Sequence, residues 1–281
     1  MNLNVLLVSL VPQSEELFVE AGKEKKIEIF ENALDSSSVR TDEYSLKIYI
    51  FDKDNGFMAG LISKKSKVSL HSKDFRAHEE DDFPPVVWFW DRKEQVILIE
   101  NKTKVFANAN IAAKAFERIS NNLQMIESGF RAHIHPKLEV TAFWESYREF
   151  MYVNQVQFNL TAPNLFGDTK KEIGDFLHEV VDETNASEFS PLFKNTDGNL
   201  ILKPSKWLDA MIDWVAEGAG SWAIKGRRSL RDHVSTASSN RSARIIRVTG
   251  NDITELQLEN YSAADVKGII EVFREKYTFK K

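Results

Sequence analysis

Pro84–Lys102, PPVVWFWDRKEQVILIENK, is the stretch whose reading decides the fold. Two apolar runs, VVWFW and VILI, are rich in β-branched and aromatic residues and flank a polar turn at Arg92–Glu94. That is the pattern of a β-hairpin. Neither run alternates between apolar and polar, so both faces of both strands need cover. The hairpin is therefore expected at the centre of a covered sheet.

Upstream, Tyr44–Phe51 (YSLKIYIF) alternates, DKDNG at 52–56 carries turn chemistry, and Phe57–Ser63 is apolar, which predicts a second hairpin. Asn2–Leu10 reads as a first strand, Glu15–Ala33 as helical and Asp35–Ser38 as a surface loop. Lys64–Asp82 is polar, mixed in charge and expected to be an excursion between the hairpins. Downstream, Ala107–Glu127 predicts one amphipathic helix with Ile111, Ala115, Ile119 and Leu123 inward and Phe116 and Ile126 alongside. Asn108 or Asn110 would cap it and Gly129 would stop it. Phe130–Val140 then reads as a strand and Thr141–Phe150 as a short helix.

The pattern begins again after residue 150. Tyr152–Leu160 predicts a strand, Thr169–Thr184 a helix, Asn199–Leu202 a short strand and Pro204–Glu217 a helix broken by Gly218–Gly220. Ser221–Lys225 follows as a strand, Gly226–Asn240 as a polar loop, Arg244–Thr249 as a strand and Ser262–Lys276 as an amphipathic helix. The expected class is α+β, with halves 1–150 and 151–281. Each half would hold a mixed or antiparallel sheet covered by amphipathic helices.

At 281 residues, 42% hydrophobic and 28% charged, the chain has the composition of a folded protein long enough for two cores. Net charge is -5, so any site for a polyanion must be a local patch. There is no cysteine, which excludes disulfides, thiolate metal sites and cysteine nucleophiles. The apolar run at the N-terminus lacks a basic start, and no window approaches the roughly 20 apolar residues of a membrane helix. A soluble, cytoplasmic protein with no membrane partner is the expectation.

Positive charge gathers in Gly218–Arg247, GAGSWAIKGRRSLRDHVSTASSNRSARIIR. Lys225, Arg227, Arg228, Arg231, Arg241, Arg244 and Arg247 are accompanied by His233 and a single acid, Asp232. A basic loop between strands Trp222–Lys225 and Arg244–Val248 suits a phosphate backbone, because guanidinium forks and hydroxyls donate to phosphate oxygens. Trp222 is the base-stacking candidate, and Lys64, Lys65 and Lys67 would extend the groove. The competing accounts are a solvated loop that pairs with the chain's own acids, and a loop that docks an acidic partner protein. Gly218-Ala-Gly220 follows a helix instead of preceding one, the reverse of a phosphate-binding turn, so it reads as a helix stop.

An enzyme reading rests on the central hairpin. Asp82 or Asp91 with Glu100-Asn101-Lys102 matches the residue types of a PD-(D/E)xK nuclease, in which carboxylates hold Mg²⁺ and lysine stabilises charge. Against it, the triplet is common and Asp91 falls at a turn. His133 and His135 would share one face of a strand, a metal-compatible spacing. No third ligand lies at a recognisable distance, and Glu139 is too far along, so hydrogen-bonded or exposed strand histidines are the expectation. The residues favour a binder over an enzyme, with no metal or cofactor apart from Mg²⁺ in the nuclease alternative.

The hairpins YSLKIYIFDKDNGFMAGLI and VVWFWDRKEQVILIE, with QVILIENKTKVF and NIAAKAFERI after them, resemble a family in layout. It is that of the phage-exclusion, abortive-infection DNA-binding proteins typified by the A component of the lambda-phage Rex system. The resemblance is one of pattern over most of the chain and transfers no individual residue. It implies a cytoplasmic DNA-binding protein without enzymatic activity, which dimerises and acts with a partner from the same defence system.

Overall fold

A computed structural model describes residues 2–12, 23–38, 46–54, 56–161, 188–216, 218, 220–239 and 243–247. The predicted helices Thr169–Thr184 and Ser262–Lys276 lie outside the described residues. The chain is α+β and mostly sheet. It forms two compact units, one of residues up to Ile134 joined by the segment from Ile245, the other His135–Arg244. The sequence reading placed one boundary near 150; the chain instead passes between units twice.

In the first unit, in chain order, lie β1 (Asn2–Pro12), α1 (Lys23–Ser38), β2 (Leu46–Asp54), β3 (Phe57–Lys64), β4 (Ser66–His71), β5 (Ala77–Asp82), β6 (Pro85–Asp91) and β7 (Val96–Glu100). Helices α2 (Ala109–Ser120) and α3 (Leu123–Glu127) follow, then β8 (Phe130–Pro136), within which the division between units falls. In the second are α4 (Ala142–Arg148), β9 (Tyr152–Thr161), β10 (Glu188–Phe189), β11 (Leu192–Lys194), α5 (Lys206–Ala216), β12 (Gly220–Arg227) and β13 (Ser235–Ser238). β14 (Ile245–Arg247) rejoins the first sheet.

The first sheet runs β14-β1-β7-β6-β3-β2, with β8 also on β1. β6 and β7 occupy its middle, and Val86–Trp90 and Val96–Ile99 are all buried, as their two-sided apolarity demanded. Trp90 donates from Nε1 to Glu31 Oε1 on α1 at 2.9 Å, which satisfies both buried polar groups. Phe30 tilts against Trp90 at 4.9 Å, and Phe116 of α2 meets Trp88 edge-on at 5.4 Å. Gly60 is required by this packing, because a Cβ there would stand 2.1 Å from the Tyr49 carbonyl oxygen and 2.8 Å from the Trp88 ring.

Two expectations are corrected here and a third is refined. Asp35–Ser38 is the last turn of α1 and not a loop. The predicted helix 107–127 is two helices, because Asn121 and Asn122 interrupt it. Asn122 caps α3 through Met125 N–H, as Asn108 caps α2 through Ile111 N–H. Leu123, assigned inward, and Ile126, placed alongside, are 59% and 55% exposed, and Ile111, also assigned inward, is 38% exposed. Finally, the excursion 64–82 is paired: β4 and β5 form a two-stranded ribbon, exposed along nearly its whole length.

The second sheet runs β10-β9-β12-β13, with β11 also on β9. α4 and α5 cover one of its faces. Phe143, Val156, Phe158, Leu208, Val215, Trp222 and Ile224 form the centre of that core. Tyr147 fixes the chain ahead of α5 by donating to Leu200 O and accepting from Leu202 N–H, both at 2.9 Å. Asn199–Leu202, read as a strand, makes only an isolated bridge from Asn199 to Val153.

Candidate functional site

The basic segment folds differently from the long loop expected. β12 extends to Arg227 and turns back at once into β13, with Lys225 opposite Thr236 and Ala223 opposite Ser238. Only residues 228–234 make the turn, and the serine- and threonine-rich stretch is a strand. β14 pairs with β1 instead, Arg247 standing opposite Asn2.

Trp222 is corrected first. It is 3% exposed and meets Phe143 edge-on at 5.5 Å in the core, so its ring is not presented to a base. Arg244 is 9% exposed, and its Nε lies 3.3 Å from Glu139 Oε1, so it does not face a phosphate either. The glycines act as expected of a helix stop, with Gly218 at φ 87 and its N–H on Val215 O at 3.0 Å. Arg241 lies outside the described residues, and of Arg247 only the backbone is described. Lys65, just before the β4–β5 ribbon, and Lys67 on it are met by Asp81 at 2.6 Å and Glu79 at 2.7 Å.

What remains is a compact group. Lys225, Arg228, Arg231 and His233 are exposed. Arg227 lies over the Tyr152 ring at 5.3 Å, and Arg228 lies over Phe150 at 5.6 Å while pairing with Glu149 at 2.7 Å. Among the described residues, Lys225 and Arg231 make no ion pair.

The register adds a face that the sequence reading missed. Val156, Phe158 and Leu160 of β9 point into the core, and Gln155, Gln157 and Asn159 therefore point away from it. Across the strands, Lys194 stands opposite Gln155, and Gln155 opposite Lys225, whose other neighbour is Thr236. The next row is Leu192–Gln157–Ala223–Ser238. A bulge between Lys225 and Gly226 brings Arg227 opposite Tyr152 on the same face. Gly226 permits it, since a Cβ there would stand 2.3 Å from the Tyr152 carbonyl oxygen. Lys194 and Lys225 flank β9 at about 10 Å, and Arg227 is about 7 Å along the strand from Lys225. Neither row carries a carboxylate. The available signal was the alternation of YVNQVQFNL, whose polar positions are amides throughout.

The nuclease residues occupy different places. Asp91 is fully buried at the end of β6, where Oδ1 accepts from the N–H groups of Lys93 and Glu94 at 2.9 and 3.3 Å, so it shapes the hairpin turn. Glu100 stands four residues beyond Val96, the partner of Asp91, about 13 Å down the strand. Lys102 Nζ lies 3.1 Å from Glu100, and Asp82 ends the β4–β5 ribbon opposite Ser66. Asp91 and Glu100 therefore cannot share a metal ion.

One group of potential ligands does come together. β8 places His133 and His135 on one face, and α2 contributes Glu117; one ligand atom of each lies within 4.8 Å of the other two. Glu117 Oε2 also accepts the N–H of Ile134 at 3.0 Å. The Asn121 side chain, one turn further on, pairs with both N–H and C=O of Ala132 at 2.7 Å. The carbonyl of His133 accepts from Ser9 Oγ of β1 at 3.2 Å. Burial holds the His133 imidazole below its ordinary value, against the raising effect of Glu117 and with a smaller lowering effect from Arg131. Glu117 stands where the sequence reading found no third candidate ligand at a recognisable distance.

Among the described residues no helix is long and apolar enough to cross a membrane. The chain matches no protein-family model, and the search of curated proteins finds no match.

Proposed function

We propose that the chain is a nucleic-acid-binding protein that holds double-stranded DNA through its phosphates, with little sequence preference. The binding surface in this reading is the outer face of the second sheet together with the turn at 228–234. Lys194, Lys225 and Arg227 supply charge on the face, and Arg228 and Arg231 supply it at the turn. Gln155, Gln157, Thr236 and Ser238 add neutral donors.

The observation that carries the reading is the register. It lines up Lys194 and Lys225 across Gln155 and sets Arg227 one step along, in rows with no carboxylate, on a chain that is acidic overall. Sequence-independent phosphate contact is what such a surface offers, since guanidinium, ammonium and neutral donors spread over a sheet face fix position on a duplex without reading bases. The resemblance to phage-exclusion proteins supports DNA as the nucleic acid and the cytoplasm as the setting. It also supports a homodimer that works beside a partner protein of the same defence system, with no catalytic step.

The test is DNA binding as a function of salt. Four or five phosphate contacts give a slope of log K against log salt of about -4. Absence of binding at low salt, or a slope unchanged in a Lys225→Ala, Arg231→Ala double variant, would sink the reading.

A further inference from the structure

The geometry points to a zinc-type divalent metal site formed by Glu117, His133 and His135, where α2 meets β8. Two imidazole nitrogens and one carboxylate oxygen are a known ligand set for such an ion, with water in the remaining position. Thiolate is unavailable to this chain, which has no cysteine. The nitrogen donors favour a transition ion over Mg²⁺, which takes oxygen. This site is independent of the DNA-binding surface and uses none of its residues.

The distances are compatible with closure on a metal. An ion about 2.0–2.1 Å from each donor sets tetrahedral donors about 3.3 Å apart. The three ligand atoms already lie within 4.8 Å of one another, so adjustment of side-chain torsions is enough. All three residues are partly buried, so the site is sheltered yet reachable by water and ion.

The backbone beneath the donors is held in place. His133 and His135 are two apart on a continuous strand, and the Ser9 hydroxyl fixes the His133 carbonyl. Asn121 clamps Ala132 to α2, and Glu117 reaches the Ile134 N–H from the same helical face. A carboxylate has lone pairs enough to accept that N–H and bind a metal as well. Holding the donors in this way lowers the ordering cost of binding. Arg131, two residues before His133 on the same strand, is a cation acting on His133; it is exposed, and its lowering effect is smaller than that of burial.

The experiment uses the full chain, stripped of metal and titrated with Zn²⁺ by calorimetry and with Co²⁺ by visible absorption. The expected result is one saturable equivalent, uncompeted by Mg²⁺, and a rise in Tm with Zn²⁺. His133→Asn and His135→Asn should each weaken binding about 10-fold or more, by analogy with the losses seen at metal sites. Glu117→Gln keeps an acceptor for Ile134 N–H and so preserves the fold, but should lose the same affinity and the Zn²⁺-dependent rise in Tm. His78→Asn and His233→Asn, which alter exposed histidines elsewhere, should bind as the parent does. Absence of saturable Zn²⁺ or Co²⁺ binding would overturn the proposal. So would binding unchanged in folded Glu117→Gln and His133→Asn proteins.

Discussion

Glu117 Oε2 accepts the backbone N–H of Ile134 at 3.0 Å. A helix side chain thereby satisfies a backbone donor of β8, and Asn121, one helical turn further on, does the same for Ala132. An edge finished in this way does not offer its N–H groups to another chain. Truncation tests it. Glu117→Ala should cost about 1–3 kcal/mol, the range for a buried donor left without its acceptor, whereas Glu117→Gln should cost much less. Urea denaturation of the two variants decides, and equal losses would show that the acceptor is not what matters.

Lys194 separates a binding surface on the sheet face from one confined to the turn. It lies on β11, far in sequence from the arginines, and reaches Lys225 only through the register of β9. Lys194→Ala should reduce the magnitude of the salt slope for DNA by about 0.9, one phosphate contact. An unchanged slope would restrict the surface to the turn.

Arg228 is held by Glu149 at 2.7 Å, and both side chains are more than half exposed. Exposed pairs of this kind contribute less than about 1 kcal/mol to stability. Glu149→Gln should therefore leave the urea midpoint nearly unchanged while releasing Arg228 and tightening DNA binding at low salt. Weaker binding in that variant would mean that Glu149 positions Arg228 instead of occupying it.

Trp222 makes the opposite case. Buried against Phe143, it should behave as a core residue: Trp222→Ala should destabilise by about 3–5 kcal/mol. Trp222→Phe should fold and bind DNA with the parent's affinity. A folded Trp222→Phe protein with reduced affinity would restore the stacking role that burial argues against.

What was legible in the sequence was local. The hairpins 44–63 and 84–102 are readable because turn chemistry and side-chain periodicity are properties of neighbouring residues. The same holds for the cap at Asn108 and the helix stop near Gly218. The break between α2 and α3 was missed for a local reason as well: Asn121 and Asn122 carry a capping signal that the apolar periodicity on either side of them overrides. The β13 strand was missed because STAS has neither apolar alternation nor length, and it becomes a strand only by pairing with β12.

By itself, then, the sequence determined the class, the central hairpin, the presence of a basic segment and the pairing of two histidines on one strand face. Tertiary structure alone decided which of those residues meet. It sent Trp222 and Arg244 inward, kept Lys225, Arg228 and Arg231 outward, and brought Lys194 into line with Lys225 through β9. It also set Glu117 beside His133 and His135. The physical reason is that periodicity assigns a residue to a face, whereas register and helix docking choose its neighbours, and those depend on contacts between residues distant in the chain.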